Sequence, residues 1–296
     1  CKAEIMTQEF YSEMTTRNIG FITEAEQARL KGGAVFVAGV GGMGGAAVQM
    51  LVRAGVGKIA IADLDTFEVS NLNRQLFAFT DTVDRLKAEV TAEGLKRINP
   101  DLELVVLGAE WTDRLDELAR DYPVIINGCD DIPATAQLYR KAKQHGATVI
   151  DAYASPLPSV IVVRPNDPRP EERLGYPIKG VDWKAITEEQ AADSFMKELE
   201  WVMTHSSSHT HIDLTAAAEM AAGKRKRMSF APMVTTAGCL MAGEALSLLM
   251  ARKTRTDYRG WFLNTRDAKC ERPLPAPIGA LKAIVVRRLM QKLLAG

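Results

Sequence analysis

Apolar residues along this chain switch repeatedly between two spacings. Thr23 and Glu26 form a capping box ahead of a helix over Ala25–Leu30, which Lys31-Gly32-Gly33 ends. AVFVAG then runs as an unbroken apolar stretch, the pattern of a strand covered on both faces. From Gly44 to Ala54 the positions Ala47, Met50, Leu51 and Ala54 take helical spacing, closed by Gly55 and Gly57, and KIAIAD gives a second strand ending at Asp63. The alternation continues through a helix over Val83–Ile98 stopped by Asn99-Pro100, the strand LELVVL and a capped helix over Thr112–Arg120. VIING is another strand, Ile132–Gln144 another helix and ATVIDA another strand. Such alternation predicts an α/β fold with a Rossmann-like, doubly wound, mainly parallel sheet and short right-handed connections.

Beyond SVIVVRP, a further strand, the pattern loosens. Asn166–Arg173 is rich in proline and charge and reads as an exposed loop, and Trp183–Met203 as a helix with Phe195, Leu199 and Val202 on one face. WFLN and an amphipathic helix from about Ile278 to Leu294 close the chain as a C-terminal strand and helix extension. Met233–Ala251 is the most membrane-like stretch. Glu244 near its middle, with its Thr, Ser and Gly residues, assigns it to a buried core helix. The nucleotide-binding half, with its N-terminal helices, is placed at residues 1–163. A substrate-facing and dimer-packing extension of the same fold is placed at 164–296.

Composition narrows the classes. With 296 residues, 47% apolar and 25% charged, the chain has the makeup of a globular protein with a sizeable core. Lys+Arg and Asp+Glu both number 37, so general coating of nucleic acid or of an anionic membrane is not expected, and charge recognition must be local. The first twenty residues carry acids and no apolar h-region, so no signal peptide is expected. The four cysteines, Cys1, Cys129, Cys239 and Cys270, make no CxxC pair, which excludes a disulfide scaffold and a Cys-pair zinc site and fits a cytoplasmic location.

The candidate chemistry begins at Gly39-Val40-Gly41-Gly42-Met43-Gly44, between a predicted strand and a predicted helix. Gly39, Gly41, Gly42 and Gly44 allow the tight turn and let backbone N–H groups approach a phosphate, which the helix dipole favours. Asp63, ending the second strand, is placed to accept ribose hydroxyls. A polar loop follows with Ser70, Asn71, Asn73 and Arg74; Lys87 begins a later helix, and Gly128-Cys129-Asp130-Asp131 ends the fourth strand. A nicotinamide cofactor has little use for an Arg and a Lys opposite a carboxylate pair. A triphosphate carrying Mg2+ has use for both, because Mg2+ prefers carboxylate and phosphate oxygens.

With GVGGMG, IADLDTFEVSNLNRQ, RLKAEV, INP and GCDD in this order, the chain resembles the ThiF/MoeB/HesA family, the prokaryotic relatives of ubiquitin-activating enzymes. The resemblance covers about 17–163 and extends to TAGCLMAGEALSLLM. It implies an ATP- and Mg2+-dependent adenylyltransferase that converts a carboxylate of a small protein, peptide or small molecule into an acyl-adenylate, releasing pyrophosphate. It further implies that Gly42 lies against the phosphates, that Asp63 holds the ribose and that Ser70, Asn71, Asn73 and Arg74 line the triphosphate. Lys87 would contact the phosphates, Asp130 would coordinate Mg2+, and Asp131 would stand beside it where relatives usually carry Asn. Arg17 matches an arginine that in relatives reaches the partner subunit's ATP, which implies a homodimer. A substrate carboxylate is already ionised at neutral pH, so it needs positioning and charge neutralisation more than a general base.

Canonical ubiquitin-like activators also use a later cysteine, and many add zinc CxxC pairs. Neither is visible here, so the acyl group is expected to pass directly to an amine, sulfur or internal nucleophile. Cys129 reads as packing, Cys239 as a core thiol, and Cys270 as a loop thiol of which reactivity is not expected. His205, His209 and His211 read as a polar, exposed connection rather than a metal site, and Lys224-Arg225-Lys226-Arg227 as solvated loop charge rather than a grip on an anionic tail. Two competing classes keep the glycine loop: an NAD(P)-dependent oxidoreductase, which leaves Arg74, Lys87 and Asp130 without work, and a non-catalytic nucleotide-binding partner subunit.

Overall fold

The most apolar strands of the sequence lie inside the sheet. The computed structural model describes the backbone of residues 2–221 and 223–295 and the side chains of 9–220 and 223–292; Cys1 lies outside the described residues. The strands are β1 (Ala34–Ala38), β2 (Lys58–Ala62), β3 (Glu103–Leu107), β4 (Val124–Asn127), β5 (Thr148–Asp151), β6 (Ser159–Val163), β7 (Trp261–Asn264) and β8 (Lys269–Glu271). They form one sheet in the order β3-β2-β1-β4-β5-β6-β7-β8. β1 to β5 pair in parallel, and β6, β7 and β8 each run antiparallel to the strand before. The central strand β4 is buried at all of its residues, while β3, at the edge, fully buries only Leu107.

Alternate residues of each strand feed opposite layers, as the two-residue period of a strand requires. Val35, Val37, Ile59 and Ile61 join one core with α3 (Gly42–Arg53), α4 (Lys87–Ile98) and α10 (Ala231–Leu249). Phe36, Ala38, Ala60 and Ile125 join the other with α5 (Leu115–Asp121), α6 (Ile132–His145) and Val202 of α8 (Glu188–His205). The remaining helices are α1 (Lys2–Thr15), α2 (Glu24–Lys31), α7 (Pro170–Arg173), α9 (Leu214–Ala221) and α11 (Ala276–Ala295). The capping box of α2 forms as predicted, with Glu26 N–H donating to Thr23 Oγ1 and Thr23 N–H to Glu26.

Several elements depart from the sequence expectation, each for a local reason. Asp84 takes a positive φ of 67° and Leu86 is extended, so α4 begins at Lys87 and not at Val83. Thr112 closes a 3-10 turn over Ala109–Thr112, and α5 starts at Leu115 without a side-chain cap. The proline-rich stretch after β6 is not all loop: Pro170 starts the single turn of α7, and Glu171 is buried against Arg140. Helix α9 and strand β8 had no periodic signal, and β8 places Cys270 on a strand.

The largest departure concerns α10. It is long and apolar enough to cross a membrane by composition, yet only 28% of its apolar window is buried. One face packs on α3 and β4 to β6, and the other is open, so Cys239 is exposed rather than a core thiol. The packed face is tight: a Cβ on Gly238 would lie 2.4 Å from the Met43 carbonyl oxygen and 2.7 Å from Ala46 Cβ, whereas Gly243 has open space.

This contrast yields a paired expectation. Gly238→Ala should lower stability by about 1–3 kcal/mol through overpacking. Gly243→Ala, in a helix interior without a clash, should raise it by up to about 1 kcal/mol. Urea denaturation measures both; equal effects of the two substitutions would contradict the α3–α10 seam.

Candidate active site

Three glycine backbones meet where the strand order reverses between β1 and β4, the crevice in which open α/β sheets bind ligands. Gly39 has φ of +82°, and a Cβ there would lie 2.7 Å from the Gly128 carbonyl carbon. A Cβ on Gly44 would lie 1.8 Å from the Gly39 carbonyl oxygen, and one on Gly128 2.6 Å from it. No side chain fits at this junction. The first turn of α3 therefore opens directly onto the mouth, with its amide donors and the positive end of its dipole available to an anion.

Asp63 closes one side. Its Oδ2 accepts from Val40 N–H at 2.9 Å and its Oδ1 from Asp65 N–H at 3.0 Å, so each oxygen retains acceptor capacity. Burial raises its pKa, with these two hydrogen bonds and Lys87 opposing the rise. Lys87, the first residue of α4, is largely buried and donates through Nζ to Asp65 Oδ2 at 2.9 Å. Arg74 donates through Nη1 to Ser70 O and to Asn73 Oδ1, both at 2.9 Å. Burial lowers its pKa, then Arg227 nearby, against the pull of Asp130 and Glu68.

Asp130 is 83% exposed and faces Arg227, whose Nη1 lies 3.8 Å from its Oδ2. Lys226 Nζ lies 3.4 Å from Glu68 Oε2, and Asn73 Nδ2 donates to Ser229 O at 3.0 Å. Residues 226–229 thus reach across the mouth. Lys226 and Arg227 are exposed loop charge, as expected, and they also stand at the same opening as Arg74 and Lys87. Sequence reasoning missed them because the contact spans more than 90 residues, as Arg227 and Asp130 show. Gln75 was missed as well. It is buried, its Oε1 has no hydrogen-bond partner, and its amide faces Gly41, within 3.5 Å of a Cβ built there. Its place directly after Arg74 was the only available signal.

Other expected site residues have structural work. Asp131 is the N-cap of α6, its Oδ1 accepting from Ala134 N–H at 2.7 Å. Asn71 is buried and accepts from Glu68 N–H at 3.1 Å, shaping the loop from within. Ser70 Oγ donates to Glu68 Oε2 at 3.0 Å. Gly41 precedes α3 and Gly42 begins it; a Cβ on Gly42 would lie 2.4 Å from Val234 of α10. Arg17 is not brought to the mouth. Asn18 beside it bonds to Ala54 O, the far end of α3, roughly 18 Å from the glycine loop at 1.5 Å per residue over twelve residues.

Cys129 is packed, as expected, and burial pushes its thiol up to about 12. The histidine segment is not an exposed connection. Ser206 and Ser208 are buried, Ser207 Oγ donates to Glu271 at 2.6 Å, and His205 packs on Trp201 while its Nδ1 accepts from Leu274 N–H at 3.1 Å. Among the described residues no group of three His, Cys, Asp or Glu side chains could hold a metal ion.

The ThiF family model matches residues 15–276, and the chain belongs to the ThiF family. Over 125 residues it is 34% identical to the tRNA threonylcarbamoyladenosine dehydratase of Haemophilus influenzae, covering 42% of this chain and 48% of that protein. Over 120 residues it is 37% identical to the molybdopterin-synthase adenylyltransferase of Salmonella typhimurium, covering 40% and 48%. The matches thus span about half the length of these curated relatives. Among solved structures, E. coli MccB with ATP superposes with a TM-score of 0.59 at 17% identity, covering 84% of this chain and 66% of that one. E. coli tRNA N6-threonylcarbamoyladenosine dehydratase does so with a TM-score of 0.57 at 20% identity, covering 82% and 96%. At these identities the superpositions establish the fold.

The capping geometry separates two neighbouring carboxylates. Asp131→Ala should cost about 0.5–2 kcal/mol of stability through loss of the α6 cap, with Mg·ATP affinity unchanged. Denaturant titration and calorimetric binding measure the two effects; lost Mg·ATP binding in a folded Asp131→Ala protein would return that residue to the ligand site.

Proposed function

We propose that this chain is an ATP- and Mg2+-dependent adenylyltransferase that activates a carboxylate as an acyl-adenylate with release of pyrophosphate. The observation that carries the reading is the gathering of Arg74, Lys87, Lys226 and Arg227 around the glycine loop, against Asp63, Asp65, Glu68 and Asp130. Without a ligand these charges neutralise one another. A polyphosphate would take over the cations. An NAD(P)-dependent oxidoreductase explains the glycine loop and Asp63 alone.

Mg2+ commonly uses one or two protein carboxylates and takes its other oxygens from phosphates and water, so the exposed Asp130 fits it without a preformed cage. Bound there, the metal would supply neutralisation of phosphate charge. The chain's own residues do the rest. The α3 amides and Gly41–Gly42 backbone receive phosphate oxygens, and Asp63 uses its free acceptor capacity for ribose hydroxyls. Arg74, Lys87 and Arg227 offset the charge that develops on the departing pyrophosphate. The substrate carboxylate arrives ionised and needs only orientation.

We also assign a homodimer in which Arg17 serves the partner's site. Arg17 is exposed at the end of α3 remote from its own mouth, near Phe21, which is 88% exposed. The open face of α10 offers a further surface for a second copy. The activated acid is a small protein, a peptide or a small molecule; the first two classes are supported by a relative named as a sulfur carrier protein adenylyltransferase and by the fold neighbour MccB with MccA. A cytoplasmic setting is supported by the free thiols of Cys129, Cys239 and Cys270.

Pyrophosphate exchange into ATP, screened with candidate carboxylates, is expected for the native chain and should fall at least about a hundredfold in Arg74→Ala, Lys87→Ala and Asp130→Ala. Unchanged exchange in any of them removes that residue from the assigned role. Mixing inactive Arg17→Ala with inactive Asp130→Ala protein should restore part of the activity, because one site of the mixed dimer is intact; no recovery in a verified mixed dimer contradicts completion in trans.

A further inference from the structure

Three successive residues of the glycine loop meet three different side chains. Val40 N–H is held by Asp63 Oδ2 at 2.9 Å. A Cβ built on Gly41 would lie 3.5 Å from Gln75 Nε2, and one on Gly42 would lie 3.7 Å from Arg74 Cγ. Asp63, Gln75 and Arg74 therefore line the loop in that order. Asp63 is the acceptor assigned to the ribose. Arg74 belongs to the far end of the mouth, where Arg227, Asp130 and Glu68 act on its guanidinium. Gln75 stands between them, a neutral amide between a carboxylate and a cation.

An amide is a costly side chain to bury at this point. Two turn bonds fix the backbone of Gln75: its N–H donates to Asn71 O at 2.9 Å, and its carbonyl accepts from Ala78 N–H at 3.0 Å. The residue is 7% exposed, yet Oε1 has no hydrogen-bond partner, and no acceptor among the described residues takes a proton from Nε2. A buried amide left unpaired costs free energy that a methionine of similar shape would not. Its use must come from a bound group, and the neighbours say which chemistry that group has. The first N–H groups of α3 and the positive end of its dipole favour an anion beside Gly41. Asp63, one loop residue away, has acceptor capacity for hydroxyls. A carboxamide carries one donor end and one acceptor end. A nucleoside 5′-phosphate offers their complements where sugar meets phosphate, namely phosphate oxygens that accept and ribose hydroxyls that donate.

We propose that Gln75 reads this junction: Nε2 donates to an oxygen of the α-phosphate and Oε1 accepts from a ribose hydroxyl. The assignment rests on the nucleotide part of the adenylation reading. In that reaction an oxygen of the substrate carboxylate attacks the α-phosphorus. The new O–P bond forms, the bond from the α-phosphorus to the bridging oxygen breaks, and pyrophosphate leaves with that electron pair. The two non-bridging oxygens of the α-phosphate stay on phosphorus throughout and share a negative charge in ATP and in the acyl-adenylate alike. Arg74 and Arg227 lose their ligand when pyrophosphate departs. Gln75 keeps its own, so it serves to retain the acyl-adenylate as well as to bind ATP.

Calorimetric titration of the full chain with AMP and with Mg·ATP tests the contact. Gln75→Met keeps the length of the side chain and removes both hydrogen-bonding ends. It should weaken AMP and Mg·ATP by the same factor, about tenfold, the size expected for a hydrogen bond to a charged group. The melting temperature of the free variant should stay at or above the native value, because an unpaired buried amide has been removed. Arg74→Ala, one residue away, should weaken Mg·ATP and leave AMP close to its native affinity. Gln75→Glu, equal in size but negative beside the phosphate, should bind both nucleotides more weakly than Gln75→Met. Native affinities in Gln75→Met, a loss confined to Mg·ATP, or a loss accompanied by a fall in the melting temperature of the free protein overturns the proposal. Missing pyrophosphate exchange alongside equal losses for AMP and Mg·ATP would sink acyl-adenylate formation and leave this contact standing. Intact exchange with native affinities in Gln75→Met would do the reverse, and a native chain that binds neither nucleotide overturns both.

Discussion

The structure depends on one steric constraint: at the junction of β1, β4 and α3, backbone must touch backbone. Gly39, Gly44 and Gly128 approach so closely that a methyl group on any of them would collide with main chain. This contact places the end of β4 beside the first turn of α3, and so puts Asp130 opposite the glycine loop. It also keeps side chains out of the turn, leaving amide donors open to a ligand.

On that scaffold the electrostatics are held in reserve. Lys87 is tied to Asp65, Lys226 to Glu68 and Arg227 to Asp130, while Arg74 holds its own loop through Ser70 and Asn73. Most of these pairs are partly exposed, and such pairs contribute little to stability, commonly about 0–1 kcal/mol. They can therefore be exchanged for ligand contacts without unfolding the mouth. The pair of Arg227 with Asp130 is the clearest instance, since a metal at Asp130 and a phosphate at Arg227 would satisfy both partners separately. The free Oε1 of buried Gln75 beside Gly41 marks a position where a bound group has something to complete.

Much of this was legible in the sequence because it is local. The β1–α3 unit, Asp63 at the end of β2 and Asp130 after β4 all lie within short strand–turn–helix segments whose periodicity and glycines are visible directly. Lys87 at the head of α4 was legible for the same reason, even though the helix start was drawn four residues early. What escaped depended on tertiary contact. No periodic signal places Arg227 against Asp130, buries Ser206 and Ser208, or leaves one face of α10 uncovered. Asp131 and Asn71 carry structural work that the motif alone does not show, one as a helix cap and one as an internal brace of its loop.

The central claim is that the mouth of the sheet holds a metal-bound polyphosphate. Calorimetric titration of the full chain with Mg·ATP, AMP and NADH tests it most directly. The account predicts saturable Mg·ATP binding that weakens as salt is raised, much weaker AMP binding, and no heat from NADH. Tight NADH binding with none for Mg·ATP would contradict it.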